Sequence, residues 1–271
     1  MNPSKPLFSA IFFLAFSTPV AAQATAAGTR QADTEYQSGA VLWMQTAGEA
    51  RALQYQAYYL ARLELERDLR ARRRDARRRA VVVDVDETVL DNSRYQATLV
   101  WEHRAYDGAS WTAWCNREEA TAVPGAVEFL QYAARRGVRV FYITNRRIAE
   151  KNATEANLKK LGFPDVTDAT LLVRTDGSSK EGRRQEVGRR YRLVLLIGDN
   201  LNDFADVFEG KSVEERKAAV ETARMKFGSR FIVLPNPMYG DWESAIYGYN
   251  QQLSDEERAS RRRSALIRIG N

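Results

Sequence analysis

The stretch AVVVDVDETVLDNS, residues 80–93, passes from apolar to acidic within a few positions. Ala80 to Val83 form the kind of short apolar run that becomes a fully buried strand. Asp84, Asp86 and Asp91 follow this run with little basic charge beside them. Carboxylates held close together repel one another unless a cation or a proton neutralises them. The stretch therefore predicts a buried strand that ends in an acidic binding loop.

Short apolar runs recur after this first strand and alternate with helical patterns. The further predicted strands are residues 138–143, 170–173, 193–197 and 230–234. The predicted intervening helices lie near residues 125–136, 147–161, 178–190 and 212–225. Continuous apolar strands separated by helices are typical of a parallel sheet covered on both faces. The predicted fold class is therefore α/β, with a doubly wound parallel sheet.

Three regions lie outside this alternation. Between Tyr36 and about Arg73, apolar residues recur at helical spacing, which predicts one long helix or two helices that meet near Gly48. Residues 94–122 are rich in tryptophan and contain no clear strand, so they are predicted as an insertion after the first strand. Residues 251–271 are predicted as a helical tail.

Polar residues follow the predicted strands at their carboxyl ends, where open α/β sheets bind ligands. Because these ends share one edge of the sheet, we expect the side chains to converge there. Oxygen ligands without histidine favour a hard ion, so Mg²⁺ is the predicted cofactor. The converging residues are Asp84 and Asp86 after the first strand, Thr144 and Asn145 after the second, Lys180 after the third, and Asp199, Asn200 and Asp203 after the fourth.

The residue types in this group predict phosphoryl chemistry. Asp84 can attack a phosphorus atom and form an aspartyl-phosphate, while Asp86 can protonate the leaving oxygen and later activate water. Lys180 supplies positive charge against the phosphoryl oxygens, and the hydroxyl and amide at the second strand end offer hydrogen bonds to them. Ser178 and Glu181 have the spacing of a capping box, which predicts that Lys180 lies in the first turn of a helix.

The motifs DVDETVLDNS, ITNR, a downstream lysine and GDNLNDF, in this order, resemble the four motifs of the DDDD branch of the haloacid dehalogenase (HAD) superfamily. Stretches such as VPGAVEFL and KFGSRFIVLPNPMYGDWE are similar to the bacterial class C acid phosphatases, a group that includes lipoprotein-type 5′-nucleotidases. The resemblance covers roughly residues 36–250. It implies a HAD-like Rossmannoid core and a Mg²⁺-dependent phosphomonoesterase.

The same resemblance implies a role for each matching residue. Asp84 matches the nucleophile and a metal ligand, and Asp86 matches the general acid, with its backbone carbonyl on the metal. Asp199 matches a further metal ligand. The other matches are Asp203, which supports the metal shell, Thr144, Asn145 and Lys180, which bind phosphate, and Trp111 and Tyr239, which stack on aromatic groups of the substrate.

The first residues have the pattern of a cleaved signal peptide: Lys5, the apolar run LFSAIFFLAF and the small residues AAQATAA. The apolar run is shorter than the roughly 20 residues of a membrane-spanning helix, which disfavours an uncleaved anchor. No cysteine follows it, whereas the lipoprotein members of the family carry a lipid-bearing one. We therefore expect a periplasmic or secreted protein without a stable membrane anchor. The only cysteine, Cys115, leaves no partner for an intrachain disulfide.

The predicted organisation has four parts. They are a signal peptide at residues 1–24, a flexible segment and helical extension at 25–78, a phosphatase core at 79–250 with a cap insertion near 94–122, and a helical tail at 251–271.

Two further patterns have alternative interpretations. The net charge of +6 and the arginine runs at 70–79 and 261–263 are compatible with nucleic-acid binding, but a solvated basic surface fits an exported protein better. An EF-hand calcium loop is disfavoured because Val89 occupies the position that requires glycine and a strand precedes the loop.

The remaining aromatic predictions are Trp101, Trp114 and Trp242 as core or interface residues and His103 as structural or exposed.

The predicted function is an exported acid phosphatase that acts on phosphomonoesters, with nucleoside 5′-monophosphates and aromatic phosphates as the expected substrates. Two alternatives stay open from the sequence: a non-catalytic phosphate-binding or storage protein on the same fold, and a phosphotransferase that uses the same intermediate. The expected partners are small-molecule phosphomonoesters and no nucleic acid, with a possible homodimer through the N-terminal helix.

Overall fold

The acidic stretch begins on the central strand of a five-stranded parallel sheet. The computed structural model describes residue 1, residues 32–71 and residues 77–270, so the predicted signal peptide lies outside the described residues apart from Met1. The strands are β1 (Arg79–Val83), β2 (Leu90–Asp91), β3 (Thr121–Ala122), β4 (Arg139–Arg147), β5 (Leu171–Arg174), β6 (Arg192–Gly198) and β7 (Phe231–Val233). The α-helices are α1 (Ser38–Thr46), α2 (Gly48–Arg70), α3 (Ser93–Trp101), α4 (Gly108–Asn116), α5 (Ala126–Arg135), α6 (Lys151–Lys160), α7 (Glu181–Arg190), α8 (Val213–Ala223), α9 (Asp241–Ile246) and α10 (Asp255–Ser264).

The main sheet has the strand order β5-β4-β1-β6-β7, and every neighbouring pair is parallel. In its centre, Val81 pairs with Val140 on one side and with Leu195 on the other. Since all five strands run the same way, their carboxyl ends lie at one edge. The predicted α/β class is confirmed, and so is the expectation that the strand-end residues share this edge.

Hydrophobic cores lie on both faces of the sheet because the side chains of β1 alternate between them. Val81 and Val83 belong to the core that α2, α5 and α6 cover, whereas Ala80 and Val82 belong to the core beneath α7 and α8. The continuous valine run is therefore buried on both sides, as expected for the middle strand of a doubly wound sheet.

The N-terminal extension consists of two helices, which confirms the second of the two predicted alternatives. Ala47 has an extended backbone, with ψ of 126°, and separates α1 from α2 just before Gly48. Tyr58, Ala61 and Leu65 on α2 are buried in the main hydrophobic core. The extension is thus packed on the same core as the sheet.

The insertion after β1 contains α3, α4 and one strand that was not predicted. Leu90 of β2 pairs with Ala122 of β3, and Asp91 pairs with Thr121, in an antiparallel ladder. The expectation that residues 94–122 contain no strand was wrong at their end. A two-residue strand is too short to leave an alternating pattern in the sequence.

The tryptophan predictions have mixed outcomes. Trp114 is buried, and its indole nitrogen donates to Asn92 Oδ1 at 2.9 Å. Trp101 and Trp242 are 87% and 44% exposed, so they are not core residues, and their placement in an interface stays a prediction. Trp101 ends α3 and Trp242 lies in the first turn of α9, where side chains are free to point away from the core. His103 is exposed, as predicted.

Asp68 connects the N-terminal extension to two strands, and its loss is expected to lower the free energy of unfolding by about 1–3 kcal/mol. Its carboxylate accepts hydrogen bonds from Arg79 at 2.8 Å and from Arg192 at 2.6 and 2.7 Å. Burial opposes ionisation, but the hydrogen bonds of Arg192 and Arg79 lower the pKa of Asp68 below its ordinary value. Urea unfolding of Asp68→Asn at pH 7 measures this loss.

The pH dependence of the Asp68→Asn effect follows from the lowered pKa. The stabilisation is complete above the unfolded-state pKa of about 3.9 and disappears as the pH falls through the lower folded-state value. The difference in the free energy of unfolding between wild type and variant is therefore expected to disappear in strong acid. Asp168→Asn is the control, because Asp168 pairs with Lys151 but its side chain is 89% exposed. An equal loss of stability in both variants would contradict the assignment.

Candidate active site

Three carboxylates meet at the carboxyl edge of the sheet. Asp84 follows β1, whereas Asp199 and Asp203 follow β6, and each offers an oxygen within 4.8 Å of the others. Lys180, which directly precedes α7, donates from Nζ to Asp84 and to Asp203, the latter at 2.6 Å. Sequence analysis predicted all four of these residues for the site, and the structure brings them together.

The electrostatics of this group favour a bound cation. Burial raises the pKa of Asp84 well above its ordinary value against the opposing charge of Lys180, and Asp203 raises it further. Burial and the charge of Asp203 raise the pKa of Asp199 to about 7. Burial disfavours the charged form of Lys180, but Asp203 and Asp84 outweigh it and raise the pKa of that ammonium. Three carboxylates and one ammonium leave two negative charges, which protons or a divalent cation can neutralise.

Asp203 reaches the cluster because Gly198 leaves room for it. A Cβ atom on Gly198 would lie 2.3 Å from Asp203 Oδ2, which no side chain permits. Asp203 Oδ2 also accepts a hydrogen bond from the backbone nitrogen of Asn200 at 3.0 Å. The glycine of the GDNLND motif is thus required by the close approach of this carboxylate to the end of β6.

The loop after β1 makes hydrogen bonds to Asp199 and also within itself, at Glu87. Glu87 is fully buried with φ of +54°, and its carboxylate accepts a hydrogen bond from the backbone nitrogen of Asn92 at 2.8 Å. Thr88 Oγ1 donates to Asp199 Oδ1 at 3.1 Å, and Asn236 Nδ2 donates to Asp199 Oδ2 at 2.9 Å. Asp199 is therefore oriented by two elements besides β6.

Asp86 lies in the same cavity as Asp84 but belongs to a separate hydrogen-bond network. Arg146 donates to Asp86 Oδ1 from Nε at 2.9 Å and from Nη2 at 2.8 Å, and Asn92 Nδ2 donates to the same oxygen at 3.0 Å. Arg146 is 2% exposed, and its guanidinium carbon lies 5.3 Å from the centroid of the Trp111 ring. These contacts leave Oδ2 of Asp86 as the oxygen with fewer partners.

The two residues predicted to bind phosphate from β4 are placed differently. Thr144 is fully buried, and its hydroxyl lies 3.5 Å from Asp86 Oδ2 while it accepts from the backbone nitrogen of Arg146. Asn145 lines the cavity, and its amide oxygen accepts from Arg183 Nη2 at 2.8 Å. Asn145 is thus the one exposed to a ligand, and Thr144 contacts the neighbouring aspartate.

Trp111 and Tyr239 line the cavity that contains Asp84 and Lys180, which has a volume of about 1120 Å³. Trp111 is buried except for 8% of its surface and packs edge-on against Tyr95 at 5.2 Å between ring centroids. Tyr239 is partly buried, and its carbonyl accepts from the indole nitrogen of Trp242 at 3.2 Å. Both predicted aromatic residues therefore face the space in front of the carboxylates.

The predicted capping box at the start of α7 was wrong. The helix begins at Glu181 with Lys180 as its N-cap residue, and the Lys180 side chain makes no capping hydrogen bond. Ser179, rather than Ser178, accepts from the backbone nitrogen of Glu181, at 3.3 Å. The backbone position next to the helix start still points Lys180 into the cluster, where the two ion pairs fix its side chain.

Sequence reasoning missed Arg146 and Asn92 as members of the site. Arg146 is the last residue of the ITNR motif, and charged residues near strand ends are ordinarily solvated. In the structure, Thr144 and Arg146 are buried while Asn145 and Arg147 are exposed. The two-residue period of a strand is the feature that places Arg146 on the same side as Thr144. Asn92 links both acidic residues of its loop, because it also donates to Glu87 at 3.4 Å.

The donor set at the carboxyl edge fits a hard divalent cation. Its members are carboxylate oxygens of Asp84, Asp199 and Asp203, and the surplus negative charge matches a divalent ion. The Asp86 side chain is not part of this group among the described residues, and its carboxylate is engaged by Arg146.

Comparison with known proteins places this site in a family. A sequence model of the HAD superfamily, subfamily IIIB (acid phosphatase), matches residues 11–242. The chain belongs to this family. The class C acid phosphatase from Bacillus anthracis has the same fold, with 43% sequence identity and a TM-score of 0.83, over 87% of this chain and 98% of that one. Its tungstate-bound structure matches with 42% identity and the same TM-score.

More distant relatives come from plants. Stem 31 kDa glycoprotein from Glycine max is 27% identical over 164 residues, and acid phosphatase 1 from Solanum lycopersicum is 25% identical over 162 residues. The matches cover 58% of this chain in both cases, and 58% and 57% of the plant proteins, so the chain spans less than two thirds of their length. Family membership and the class C acid phosphatase match together indicate a phosphomonoester hydrolase.

Proposed function

We propose that this protein is an exported, Mg²⁺-dependent acid phosphatase that hydrolyses phosphomonoesters through an aspartyl-phosphate on Asp84. The observation that carries the proposal is the ion-paired cluster of Asp84, Lys180 and Asp203, with Asp86 in the same cavity. A nucleophile, a fixed positive charge and a second carboxyl group are what transfer of a phosphoryl group requires.

In the first half of the reaction, a carboxylate oxygen of Asp84 attacks phosphorus. The bond between phosphorus and the leaving oxygen breaks, and that oxygen takes a proton from the Asp86 carboxyl group. Lys180 stabilises the charge on the phosphoryl oxygens, and its two ion pairs hold it there before substrate arrives. Asn145 lies on the cavity wall and is suited to donate a hydrogen bond to the same oxygens.

In the second half, Asp86 accepts a proton from water, and the resulting hydroxide attacks the phosphorus of the aspartyl-phosphate. The bond between phosphorus and the Asp84 oxygen breaks, which releases inorganic phosphate and restores both carboxyl groups. The double hydrogen bond from Arg146 fixes the position of Asp86 through both steps, together with the contact to Thr144.

The metal in this proposal is Mg²⁺. When bound, it would be held by Asp84, Asp199 and the backbone carbonyl of Asp86, with Asp203 in support, and it would supply positive charge to the phosphoryl oxygens. The surplus negative charge of the cluster supports this assignment.

The proposed substrates are nucleoside 5′-monophosphates and aromatic phosphates. Trp111 and Tyr239 on the cavity wall offer aromatic surfaces on which a base or an aryl group can stack. The class C acid phosphatase from Bacillus anthracis has been solved with tungstate, which is a tetrahedral oxyanion like phosphate. The presence of both Asp84 and Asp86 argues against a non-catalytic storage protein, whereas transfer of the phosphoryl group to an alcohol remains compatible with the same intermediate.

Removal of the metal is expected to abolish phosphate release from an aryl phosphate and from nucleoside 5′-monophosphates, and added Mg²⁺ is expected to restore it. The measurement is phosphate release after dialysis against EDTA, with and without Mg²⁺. Mg²⁺ should also raise the melting temperature, because it binds only the folded cluster. Full activity in chelator would contradict the metal assignment.

Asp199→Asn separates metal binding from chemistry in this experiment. The amide removes one charge from the cluster, so Mg²⁺ is expected to raise the melting temperature of this variant much less than that of wild type. Asp206→Asn is the matched control, because Asp206 is exposed and outside the cluster. An identical Mg²⁺ response in all three proteins would show that the ion binds elsewhere.

We further propose that the enzyme is exported and forms a homodimer. The apolar segment at residues 7–16 supports a cleaved signal peptide and a periplasmic or secreted enzyme. Within residues 32–71 and 77–270, no helix combines the length and the apolar character that crossing a membrane requires. A homodimer is supported by large apolar side chains that stay exposed on the N-terminal helices, namely Leu42, Leu53, Tyr55, Tyr59 and Leu63.

A further inference from the structure

The cavity that contains Asp84 and Lys180 is also lined by residues from the N-terminal segment and from the C-terminal helix α10. Tyr36, from the N-terminal segment, and Arg262, from α10, line the same cavity as the two active-site residues. Helix α10 follows residue 242, where the match to the family model ends. Part of the cavity lining therefore comes from a segment outside the family match.

Arg262 contacts three other residues of this lining. Its Nη1 donates to the Tyr247 hydroxyl at 2.8 Å, and its Nη2 donates to Asp33 Oδ2 at 2.7 Å. Its guanidinium carbon lies 3.7 Å from the centroid of the Tyr36 ring, a close cation–π contact. One side chain of α10 thus holds the N-terminal segment and the residue that follows α9.

Glu243 joins the same network through the two tyrosines. The hydroxyls of Tyr36 and Tyr247 both donate to Glu243 Oε1 at 2.6 Å, and Glu243 is buried. Burial and then the hydrogen bond to Glu243 raise the pKa of both tyrosines, so both hydroxyls stay protonated donors at neutral pH. We call this set the terminal clasp; it consists of Asp33, Tyr36, Glu243, Tyr247 and Arg262.

The clasp has the properties of a barrier rather than of a second anion site. The two terminal nitrogens of Arg262 are engaged by Asp33 and Tyr247, and the Tyr36 ring covers one face of its guanidinium. Glu243 and Asp33 also oppose an incoming anion. Charge-assisted hydrogen bonds that connect three separate chain segments make such a network costly to displace.

We infer that the terminal clasp is the far wall of the substrate cavity and limits the length of the leaving group that the enzyme accepts. The inference rests on the proposed function, because Asp84 defines the end at which the phosphoryl group must sit. A cavity of about 1120 Å³ accommodates a small-molecule ester with space to spare. A leaving group that extends to the clasp has to displace the Arg262 network, whereas a shorter one does not.

A series of aryl phosphates whose aryl groups carry no charged substituent tests the inference: phenyl, biphenyl-4-yl and p-terphenyl-4-yl phosphate. Length grows along the series while the acidity of the phenol changes little, so the chemical step stays comparable. For wild type we expect kcat/KM relative to phenyl phosphate to fall once the leaving group reaches the clasp. In Arg262→Ala, the ratio for the longest ester is expected to rise at least about tenfold, the size of discrimination that a pocket wall typically supplies.

Arg263→Ala is the matched control, because Arg263 is an exposed neighbour and its loss changes the net charge equally. It should keep the wild-type length profile. Tyr247→Phe is a milder second variant that removes the hydroxyl shared by Arg262 and Glu243 but keeps the ring. Like Arg262→Ala, it is expected to raise kcat/KM for the longest ester relative to phenyl phosphate. Melting curves for each protein test whether the fold persists.

Two outcomes would overturn the inference. One is an unchanged length profile in Arg262→Ala and Tyr247→Phe when both hydrolyse phenyl phosphate. The other is the same shift in Arg263→Ala. If wild type itself fails to hydrolyse phenyl phosphate with Mg²⁺ present, the proposed function is refuted. The inferred length limit is then refuted as well, because it depends on that function.

Discussion

Replacement of Asp84 by asparagine is expected to reduce phosphate release on the order of 10⁴-fold or more, because no other carboxylate can take its place as the nucleophile. The variant is expected to stay folded. Asparagine has nearly the same shape, Lys180 keeps its ion pair with Asp203 at 2.6 Å, and one of the repelling buried charges disappears. Steady-state hydrolysis of an aryl phosphate gives the loss of activity.

Trapping of the covalent intermediate makes this test specific for the nucleophile. Wild-type enzyme quenched in acid during turnover should carry one additional phosphoryl group by intact mass, located on the peptide that contains Asp84. Asp84→Asn should carry none. Asp176→Asn is a matched control, because Asp176 is exposed and its substitution removes the same charge. Retained activity in Asp84→Asn, or a phosphoryl group on another residue, would contradict the assignment.

Asp86→Asn is expected to lower kcat/KM by about 10²–10⁴-fold for an alkyl phosphate, since general acid catalysis contributes a factor of this size. The amide oxygen can still accept the hydrogen bonds of Arg146, which limits any displacement. For 4-nitrophenyl phosphate the loss in kcat/KM should be much smaller, because nitrophenolate departs without a proton. Comparison of the two substrates in the same variant isolates the acid role.

The second role of Asp86 gives an independent readout. If it also activates water, the variant should release one equivalent of nitrophenol in a rapid burst and then turn over slowly, as the phosphorylated enzyme accumulates. Rapid-mixing kinetics detects the burst. Equal losses of kcat/KM with both substrates and no burst would mean that Asp86 only positions its neighbours.

The strands and the acidic cluster were predictable because each rests on a strong local pattern. The valine run of β1 has the composition of a strand buried on both faces, and polar residues beyond parallel strands meet at one edge whatever the details of packing. Asp84, Lys180, Asp199 and Asp203 were found from this rule alone. The joint at Ala47 was predicted only to within a residue, since Gly48 marks a break without fixing its position.

The features that sequence analysis missed depend on contacts between distant segments. Arg146 is buried because Asp86, sixty positions earlier, neutralises it, and no local pattern contains that partner. Helix α7 begins at Glu181, and Ser179 rather than Ser178 accepts from its backbone nitrogen, so the capping motif was misleading. Trp101 is a large aromatic residue that was predicted in the core or in an interface, but it ends α3 and is exposed in this chain.

The contact between α2 and the loop after β1 makes the N-terminal helices part of the support of the active site. Tyr58 donates its hydroxyl hydrogen to the carbonyl of Thr88, and Thr88 in turn orients Asp199. A fragment trimmed to start at β1 would therefore lose the support behind one of its acidic groups and would uncover a face of the sheet. Helix α2 supports the active-site loop from behind, so shortened variants and transplanted versions of the phosphatase core have to retain the N-terminal helices.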